Sequence, residues 1–580
     1  MDAPFAPALL AGVERVTAWA DLLDEINVFP VADGDTGRNL VVSLAPLRRT
    51  TLGREETARE LLLAARGNSG NIAARFFSGL LTADSLETMA KAIRQGRDRA
   101  WQAVRDPRPG TMLTVLDALV AVVEAEPASY DVPWRDRVVE RLEEAVRSTP
   151  DLLPRLKAAG VVDAGALGVY IFLDGFFTAL AGERDAPRPI TEIFRDQLTL
   201  SPAFREEGEG GCCIDTVLAV GGNDAAAAER LAGLGESVVV LRDGGYLKVH
   251  LHAANGEKAR GELAACGELL RWSVDDLDAQ VAAFRRRPAH GALHIMTDAA
   301  GSLSREQAAA LGITLLSSYI TLGERSFPEI HLAPEELYRA MAGGIRVSTS
   351  QASLSERHEC YRSVLERHQR VLYLAVGSAF TGNVAAATDW KNANDRENRL
   401  TIIDTGAASG RLGLLAVAVA RFSRDARDPE AVIGFAREAL KRCDEYVFLD
   451  KLRYLAAGGR LSKSGAFFGD MLHMKPVITP RADGARKAGV VRDRAGQLRF
   501  ALEKLDGTLN GKGNGALIML EHTDNAAWVA ESVRPAIAGQ YPEAEILVQA
   551  MSLTSGAHMG PGTWAVAFLP DGEETGAGII

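Results

Sequence analysis

Two aspartates separated by a single glycine form the densest chemical signal in the sequence. Asp33 and Asp35 flank Gly34 within the segment NVFPVADGDTGRNL, residues 27–40. A turn this short brings the two carboxylates together, where they repel each other unless a cation lies between them. Oxygen ligands without nearby nitrogen or sulfur suit Mg²⁺, which bridges phosphate oxygens, and Asn27 could add a third oxygen. The alternative is an ordinary loop cap, since Asp and Gly also populate turns.

Several helix starts carry polar residues that could hold phosphate oxygens. The acidic loop runs directly into a helix whose free N–H groups could bind anions, and a second such start lies in ARGNSGNIAARFFSGL, residues 65–80. Thr111 stands at a third helix start and Asp163 just ahead of a fourth, although helix capping is the competing interpretation for both. The candidates at the first two helix starts are Thr36, Gly37, Asn39, Ser69, Gly70 and Asn71.

Two histidines occupy alternate positions of a single β-rich segment. His250 and His252 belong to YLKVHLH, residues 246–252, and alternation along a strand places both imidazoles on the same face. Cys213, on an adjacent strand, could complete a metal-binding face. This set is one ligand short of a closed structural zinc site, so water or another residue would have to fill the last position. The alternative is a pair of strand histidines that hydrogen bonds satisfy.

The spacing of apolar residues divides the chain into parts that must position these groups. Residues 9–181 show apolar side chains at three- and four-residue steps, which predicts helices. From about Cys212 short β-rich segments surround an Ala-rich helix, which predicts a small α/β domain. After the run Arg285–Arg287, β-rich segments alternate with helices, which predicts a largely parallel sheet covered by helices. We expect a multidomain protein with domains over residues 1–195, 196–287 and 288–580.

Composition narrows the classes of function. The 580 residues are 47% hydrophobic and 24% charged, and we find no uncharged apolar stretch of the roughly 18 residues that a transmembrane helix needs. The N-terminus does not resemble a secretory signal, and five cysteines without regular spacing suit a reducing compartment, so we expect a cytoplasmic protein. A net charge of −11 and a pI near 5.6 argue against a nucleic-acid partner.

The first part of the chain resembles a known nucleotide-binding family. Over residues 9–195 it is similar to the DhaL-type domain of bacterial fatty acid kinases, and the match is most specific in the DGDTG core. The resemblance implies an all-α helical barrel that binds ATP through Mg²⁺ ions held by Asp33, Asp35 and Asn27. It carries phosphate and nucleotide contacts onto Thr36, Asn39, Ser69, Gly70 and Thr111, and we expect Gly37, Asn71 and Asp163 to complete this ATP-binding set. The sequence departs from the family pattern at Arg38, Ala164 and Ala166.

The middle part resembles a second segment of the same kinases. The motifs GCCIDT and LKVHLH look like the middle domain of fatty acid kinases. This likeness puts Zn²⁺ bound by Cys213, His250 and His252 on an equal footing with the alternative, two strand histidines that hydrogen bonds satisfy.

The last part resembles the DegV family of fatty acid binding proteins, whose members carry the acyl substrate to the kinase. The motifs that match in family order are IMTDAAGSLS (295–304), STSQAS (348–353), AVGSAFTGN (375–383), IDTGAASGRLG (403–413), YLAAGGRLS (454–462), MKPVI (474–478) and GAHMGPG (556–562). The first motif matches least well, because Ala299, Ser302 and Ser304 replace the usual Ser, Asp and Pro.

The DegV resemblance implies a two-lobed α/β domain with a site for a carboxylate. A carboxylate cannot enter an apolar tunnel without partners, because an unsatisfied buried charge costs several kcal/mol, so hydroxyls and an imidazole must meet it. Arg460 would lie near the acid group or the docking surface. The resemblance assigns the carboxylate contacts to Thr349, Ser350, Ser378 and His558.

Together these resemblances imply ATP-dependent phosphorylation of a fatty acid, or another lipid-like carboxylic acid, to an acyl phosphate, with kinase and acyl carrier in one chain. Two alternatives stay open. A noncatalytic lipid carrier or sensor is kept open by the departures at Arg38, Ala164 and Ala166. A dihydroxyacetone-type kinase would need a sugar-binding partner domain in place of the DegV pattern. We expect a homodimer that makes transient contact with membranes.

Overall fold

The computed structural model describes most of the chain as two compact units, residues 1–286 and 287–580. The described residues are 5–49, 53–125, 129–183, 188–205, 210–221, 224–231, 233–285, 291–457, 474–509, 511 and 513–571. Within these ranges, none of the helices combines the length and the apolar character that crossing a lipid bilayer requires.

Helices make up the first part of unit 1. They are α1 (Phe5–Ala18), α2 (Ala20–Glu25), α3 (Thr36–Leu44), α4 (Arg54–Ala64), α5 (Gly67–Leu80), α6 (Met89–Ala103), α7 (Met112–Ala125), α8 (Val132–Arg147), α9 (Thr149–Leu152), α10 (Pro154–Ala159), α11 (Ala164–Leu180) and α12 (Ile190–Ile193). Helix α11 is buried on nearly all sides from Ala164 to Phe177, which is the pattern of a central core helix. Helix α1 packs closely against it: an added Cβ at Gly12 would lie 2.8 Å from the ring of Phe172, and Arg15 pairs with Asp174 at 2.7 Å.

A four-stranded antiparallel sheet follows within the same unit. Its elements are β1 (Cys212–Ala219), α13 (Asp224–Leu231), β2 (Glu236–Asp243), β3 (Tyr246–Ala253), α14 (Gly256–Ala264), β4 (Glu268–Asp276) and α15 (Leu277–Arg285), with strand order β2-β3-β1-β4. Val239, Leu241 and Phe284 join the hydrophobic core of the helices, and Val239 forms a β-bridge with Val104. The sheet is therefore packed against the helical part.

Unit 2 is an α/β structure. Its elements are β5 (His294–Asp298), α16 (Arg305–Leu311), β6 (Ile313–Leu316), β7 (Ser318–Leu322), β8 (Arg325–Pro328), α17 (Pro334–Ala342), β9 (Val347–Gln351), α18 (Leu354–Arg367), β10 (Val371–Ala375), α19 (Asn383–Asn394), β11 (Leu400–Asp404), α20 (Ser409–Asp425), α21 (Pro429–Arg442), β12 (Asp444–Phe448), α22 (Leu452–Ala457), β13 (Lys475–Arg481), β14 (Gly484–Val491), α23 (Arg494–Asp506), β15 (Leu517–His522), α24 (Ala526–Trp528), α25 (Arg534–Gln540), β16 (Glu545–Ala550), α26 (Leu553–Met559) and β17 (Trp564–Leu569).

The strands of unit 2 form sheets of different types. The sheet with order β11-β10-β5-β6 is wholly parallel, as predicted. The prediction of a largely parallel sheet is wrong elsewhere, because β8-β7-β9 is antiparallel and β14-β13-β12-β17-β15-β16 has only one parallel pair. The cause differs along the sheet: β13 and β14 pair as a tight hairpin, which needs no crossover helix, whereas β12 pairs with β17 across more than a hundred residues. The predicted fold class, helical then α/β then two-lobed α/β, is confirmed.

Candidate active site

Most of the candidate residues of unit 1 line one cavity of about 600 Å³. The helical part lines the cavity with the acidic loop and several helix starts, and strands β1, β2 and β3 also contribute lining residues. Segments that are far apart in sequence therefore share one space. The lining includes the predicted residues Asn27, Asp33, Asp35, Thr36, Ser69, Thr111, Asp163, Cys213, His250 and His252.

The two aspartates of the acidic loop stand half-buried on the cavity wall. Burial, and then repulsion by Asp35, hold the pKa of Asp33 well above its usual range. Burial also raises the pKa of Asp35. Asn27 donates from Nδ2 to Oδ1 of Asp33 at 2.5 Å, so its amide nitrogen faces the carboxylate, and a role as a metal ligand requires the amide to turn. The clustered carboxylates favour any cation that enters the cavity.

The start of α3 is already occupied by a carboxylate that the sequence analysis missed. The N–H groups of Gly37 and Arg38 donate to Oδ1 of buried Asp24, at 2.7 and 3.3 Å. The expectation that these amides are free to bind phosphate is therefore wrong. Gly37 is required for packing instead, because an added Cβ would lie 2.1 Å from the carbonyl oxygen of Ala20. The side chain of Asn39 lies beside Asp35 and lowers the pKa that burial of this carboxyl raises.

The start of α5 brings its first residues to the cavity. Gly67 has φ +60°, a left-handed conformation that favours glycine, and it lines the cavity together with Asn68 and Ser69. The N–H groups that follow Gly67 lack an acceptor one turn earlier in the helix, as at any helix start. Gly70 instead packs against α3, where an added Cβ would meet Oγ of Ser43 at 2.0 Å.

Asn71, the last predicted phosphate contact of this turn, does not line the cavity. Its Nδ2 donates to the carbonyl oxygen of Gly67 at 2.7 Å, and its side chain is fully buried. The bond closes the first turn of α5. Asn71 therefore shapes the turn from behind and does not line the cavity that Ser69 lines.

Thr111 and Asp163 cap helices and also line the cavity. Oγ1 of Thr111 accepts a hydrogen bond from the N–H of Leu113 at 3.4 Å, which caps α7, and it donates to the carbonyl oxygen of Arg108 at 2.9 Å. Asp163 accepts a hydrogen bond from the N–H of Ala166 at 2.7 Å, and burial raises its pKa to about 7. The capping interpretation is therefore correct for Asp163, although its position on the cavity wall leaves it beside any bound ligand.

The cluster of Cys213, His250 and His252 lines the same cavity, close enough to Asp35 for their charges to interact. Their ligand atoms lie within 4.8 Å of one another, and all three residues are buried. Burial, and then His250, lower the pKa of His252 to about 3, which keeps its imidazole in the neutral form that binds metals. Burial, and then Asp35, raise the pKa of the Cys213 thiol, so a cation must displace its proton.

The donor set fits zinc. His250 points Nδ1 towards Oδ2 of Asp215 at 3.2 Å, while its buried Nε2 has no hydrogen-bond partner among the described residues. Histidines bound to a metal through one nitrogen usually donate the other N–H to a carboxylate. Asp215 also pairs with Lys248, and although burial alone would raise its pKa, Lys248 and His250 hold the pKa well below its ordinary value.

Other functional candidates carry no local signature in the sequence. Arg105, Asp106 and Arg108 line the cavity beside Thr111, and Arg108 pairs with Asp106 at 2.9 Å. Asp24 and Asp215 accept hydrogen bonds from the first residues of helices that lie 13 and 148 residues away in sequence. The only signal for Asp215 was its place in the GCCIDT motif.

In unit 2 the structure brings together two of the predicted carboxylate contacts. Oγ1 of Thr349, on β9, lies 2.9 Å from Nε2 of His558, on α26. Ser350 is exposed and, by strand alternation, faces away from Thr349. Ser378 is exposed after β10, where its N–H donates to Asp404 at 3.1 Å. Arg460 lies outside the described residues.

Three family models match the chain in succession. A DAK2 domain matches residues 30–178, the middle domain of FakA-like fatty acid kinase proteins matches residues 211–284, and the DegV family of uncharacterised proteins matches residues 292–571. Two segments of kinase type thus precede a DegV segment in one polypeptide. This order fits a fused fatty acid kinase and confirms the resemblance drawn from the motifs.

Curated relatives and solved structures each resemble part of the chain. Protein YloV of Bacillus subtilis is 30% identical over 307 residues, which are 48% of this chain and 55% of that protein. An uncharacterised protein of Staphylococcus aureus strain USA300 is 30% identical over 322 residues, which are 50% of this chain and 58% of that protein. The chain thus spans a little over half the length of these relatives.

Solved structures of DegV proteins align with about half of the chain. A DegV family protein from Thermus thermophilus, described for its fatty acid binding, is 24% identical and covers 48% of this chain and 99% of its own, with a TM-score of 0.44. DegV of Bacillus subtilis, described as a fatty acid binding protein, is 21% identical and covers 49% and 100%, with a TM-score of 0.44.

Proposed function

We propose that the protein transfers the γ-phosphoryl group of ATP to the carboxylate of a fatty acid, or a similar lipid-like acid, and forms an acyl phosphate. The observation that carries the proposal is the pair Asp33 and Asp35, half-buried on a cavity wall beside the start of α5. Two carboxylates there need a divalent cation, and a divalent cation there anchors a triphosphate. The succession of DAK2, kinase middle and DegV segments supports this proposal.

In the proposed reaction a carboxylate oxygen attacks the γ-phosphorus, and the bond from phosphorus to the ADP oxygen breaks. No general base is required, because a carboxylic acid is already ionised at neutral pH. Mg²⁺ held by Asp33 and Asp35, with Asn27 once its amide turns, would neutralise the phosphate charge. The chain's own task is positioning: the N–H groups after Gly67, with Ser69, orient the phosphates, and Thr36 and Thr111 stand beside them.

Three further proposals complete this function. Cys213, His250 and His252 hold Zn²⁺, and because they supply only three ligands, water or a further residue fills the fourth position. Thr349 and His558 receive the acid head group, with Ser350, Ser378 and Arg460 as additional candidates. The protein works in the cytoplasm as a homodimer, with domains over residues 1–195, 196–287 and 288–580; the matched segments fall inside these ranges.

One polypeptide that holds both sites has a kinetic advantage. Joining the acid carrier to the kinase makes the head group an intramolecular reactant, which raises its effective concentration when the linkers allow the sites to meet. The free carrier of a two-protein system must instead find the kinase anew in each turnover.

The test is a turnover assay with the purified chain, ATP, Mg²⁺ and hexadecanoate. We expect ADP release that depends on the fatty acid, and an acyl phosphate that hydroxylamine traps as the hydroxamate. ADP release without hydroxamate would contradict the proposed acceptor. Fatty acid binding without any ADP release would favour the noncatalytic carrier, and phosphorylation of dihydroxyacetone would favour the sugar kinase.

A further inference from the structure

One carboxylate, Asp215, touches both the metal cluster and the start of α5. It lies on β1 two residues after Cys213 and directly opposite His250 on β3. Side chains alternate along a strand, so Asp215 shares the sheet face of Cys213. Its side chain is only 12% exposed. Asp215 therefore interacts mainly with neighbouring protein groups and little with solvent.

A single oxygen of Asp215 serves both neighbours. Oδ2 accepts a hydrogen bond from the N–H of Gly67 at 3.1 Å and lies 3.2 Å from Nδ1 of His250. The other oxygen, Oδ1, lies 2.9 Å from Nζ of Lys248. Hydrogen bonds to an ionised carboxylate are about twice as strong as those between neutral groups, so these contacts hold their partners firmly.

The bond to Gly67 fixes the turn that faces the cavity. Gly67 is the first residue of α5, and the two residues after it, Asn68 and Ser69, line the cavity. Asn39 closes the other side of this turn, because an added Cβ on Gly67 would lie 2.1 Å from its Nδ2. A small displacement of Gly67 therefore changes where the N–H groups of α5 point.

The bond to His250 ties this turn to the metal cluster. Nδ1 of His250 lies against the carboxylate and 4.0 Å from Sγ of Cys213, while Nε2 is buried without a hydrogen-bond partner among the described residues, so Nε2 is the nitrogen that a metal could take without breaking the bond to Asp215. A metal that fixes the imidazole ring also fixes the Asp215 carboxylate, as ligand and outer partner orient each other. Without a metal, the ring and the carboxylate lose one of their restraints.

We propose that Asp215 is a positioning residue that couples metal binding at Cys213, His250 and His252 to nucleotide binding at the start of α5. The inference rests on the proposed function, since it needs the cavity to bind nucleotide phosphates. Zinc strengthens nucleotide binding, and nucleotide strengthens zinc binding by the same factor, because coupling between two sites is reciprocal. A carboxylate that served only to neutralise Lys248 would transmit nothing between the sites.

The test measures by calorimetry how tightly the full chain binds a nonhydrolysable ATP analogue with excess Mg²⁺, first loaded with one equivalent of Zn²⁺ and then stripped of it. We expect zinc to tighten binding in the wild-type chain about tenfold, within the usual range of coupling between sites. In D215N/K248M the factor falls to about one. The second substitution removes the ammonium group that D215N alone would leave buried without a counterion.

K248M alone is the matched control. It removes the ion pair but keeps the bonds from Asp215 to Gly67 and His250, so it retains the coupling factor. An undiminished factor in D215N/K248M, or no effect of zinc on the wild-type chain, would overturn the inference. The reciprocal measurement needs no variant: zinc affinity of the wild-type chain must rise by the same factor when the Mg²⁺ analogue complex is present.

Failure of this inference is distinguishable from failure of the proposed function. Nucleotide binding that ignores zinc and Asp215 overturns the coupling alone and leaves the kinase proposal in place. A chain that binds no Mg²⁺ nucleotide in any form overturns both.

Discussion

Two pairs of acidic side chains, one in each unit, bring carboxylates close enough to repel each other, but their surroundings differ. Asp33 and Asp35 line a cavity, whereas Glu445 on β12 and Glu521 on β15 are each 0% exposed. Burial, and then the neighbouring carboxylate, raise the pKa of Asp33 and likewise that of Glu445. The first pair can be relieved by a cation that enters the cavity. The second pair is closed to solvent, and a proton shared between the two carboxyl groups relieves the repulsion that Arg411 offsets in part.

The contacts of the second pair agree with a shared proton. Oε1 of Glu521 accepts a hydrogen bond from Ser409 at 2.9 Å, and Oε2 of Glu445 accepts one from the N–H of Arg411 at 3.1 Å. The remaining oxygen of each carboxylate is buried without a donor among the described groups. A proton held between these two oxygens satisfies both. Access to a cavity, more than the clustering of acids, thus distinguishes a cation site from a structural pair.

The largest effect should come from removing the charges of the cavity pair. We expect D33N/D35N to lower Mg²⁺-dependent ADP release on the order of 100-fold or more, because metal neutralisation of phosphate charge is worth several kcal/mol. The control is D136N/D151N, which removes two exposed aspartates from the same helical part. Equal turnover in the two double variants would contradict the claim that the cavity pair is a cation site and differs in this from the buried pair.

The next effect concerns the metal content of the cluster of Cys213, His250 and His252. We expect about one zinc per wild-type chain and about none in C213S, because a site of this type depends on its thiolate. C212S is the matched control, since strand alternation turns Cys212 to the other sheet face. Elemental analysis of the purified proteins gives the answer. Zinc retained in C213S would mean that the three-residue cluster is not the site.

In unit 2 a smaller effect should identify the acid-binding contact. We expect T349V to weaken binding of hexadecanoate about tenfold or somewhat more, since a hydrogen bond to a charged group contributes about 1.5–3 kcal/mol. The control is S348A, which removes a hydroxyl from the neighbouring exposed position of β9. Fluorescence displacement or calorimetry measures the affinity. Equal affinities in both variants would exclude Thr349 from the head-group site.

The smallest effect is on the free energy of unfolding, and it tests the buried pair of Glu445 and Glu521. Both pKa values of Glu445 and Glu521 are raised in the folded state, so folding takes up protons. Stability is then greatest below the unfolded pKa of about 4.3 and falls as the pH rises through the raised values. E445Q stays neutral, and its amide can accept from Arg411 and donate to Glu521. Because E445Q keeps these bonds without taking up a proton on folding, we expect a gain of about 1 kcal/mol at neutral pH.

The gain should appear in thermal unfolding as a Tm that rises by a few degrees at pH 8 and by less at pH 5. E438Q, on an exposed part of α21, is the control and should show neither change. A destabilised E445Q at pH 8 would mean that the pair is not protonated in the folded state.

The sequence could predict those parts of the site that depend on local motifs. Asp33, Ser69, Thr111 and the Cys213 cluster follow from short segments with typical spacing, and the structure brings them to one cavity. It could not predict that Asp24 occupies the amides of α3, because the bond to Gly37 depends on how α2 packs against that helix.

The fold could be predicted from the sequence to about the same extent as the site. Alternating β-rich and helical segments correctly indicated the parallel sheet around β5 and β10. The same alternation failed for the mixed sheet, because strand direction depends on which edges pair, and the pairing of β12 with β17 joins segments more than a hundred residues apart. The bond from Asp215 to Gly67 is of this long-range kind as well.

The most direct test of the central claim is the dependence of nucleotide affinity on Mg²⁺. Calorimetric titration of the wild-type chain with a nonhydrolysable ATP analogue, with and without Mg²⁺, isolates the role of the acidic loop from the chemistry of the acceptor. We predict that removing Mg²⁺ weakens binding by on the order of 100-fold, since bare carboxylates repel the triphosphate. Equal affinity with and without Mg²⁺ would contradict the account.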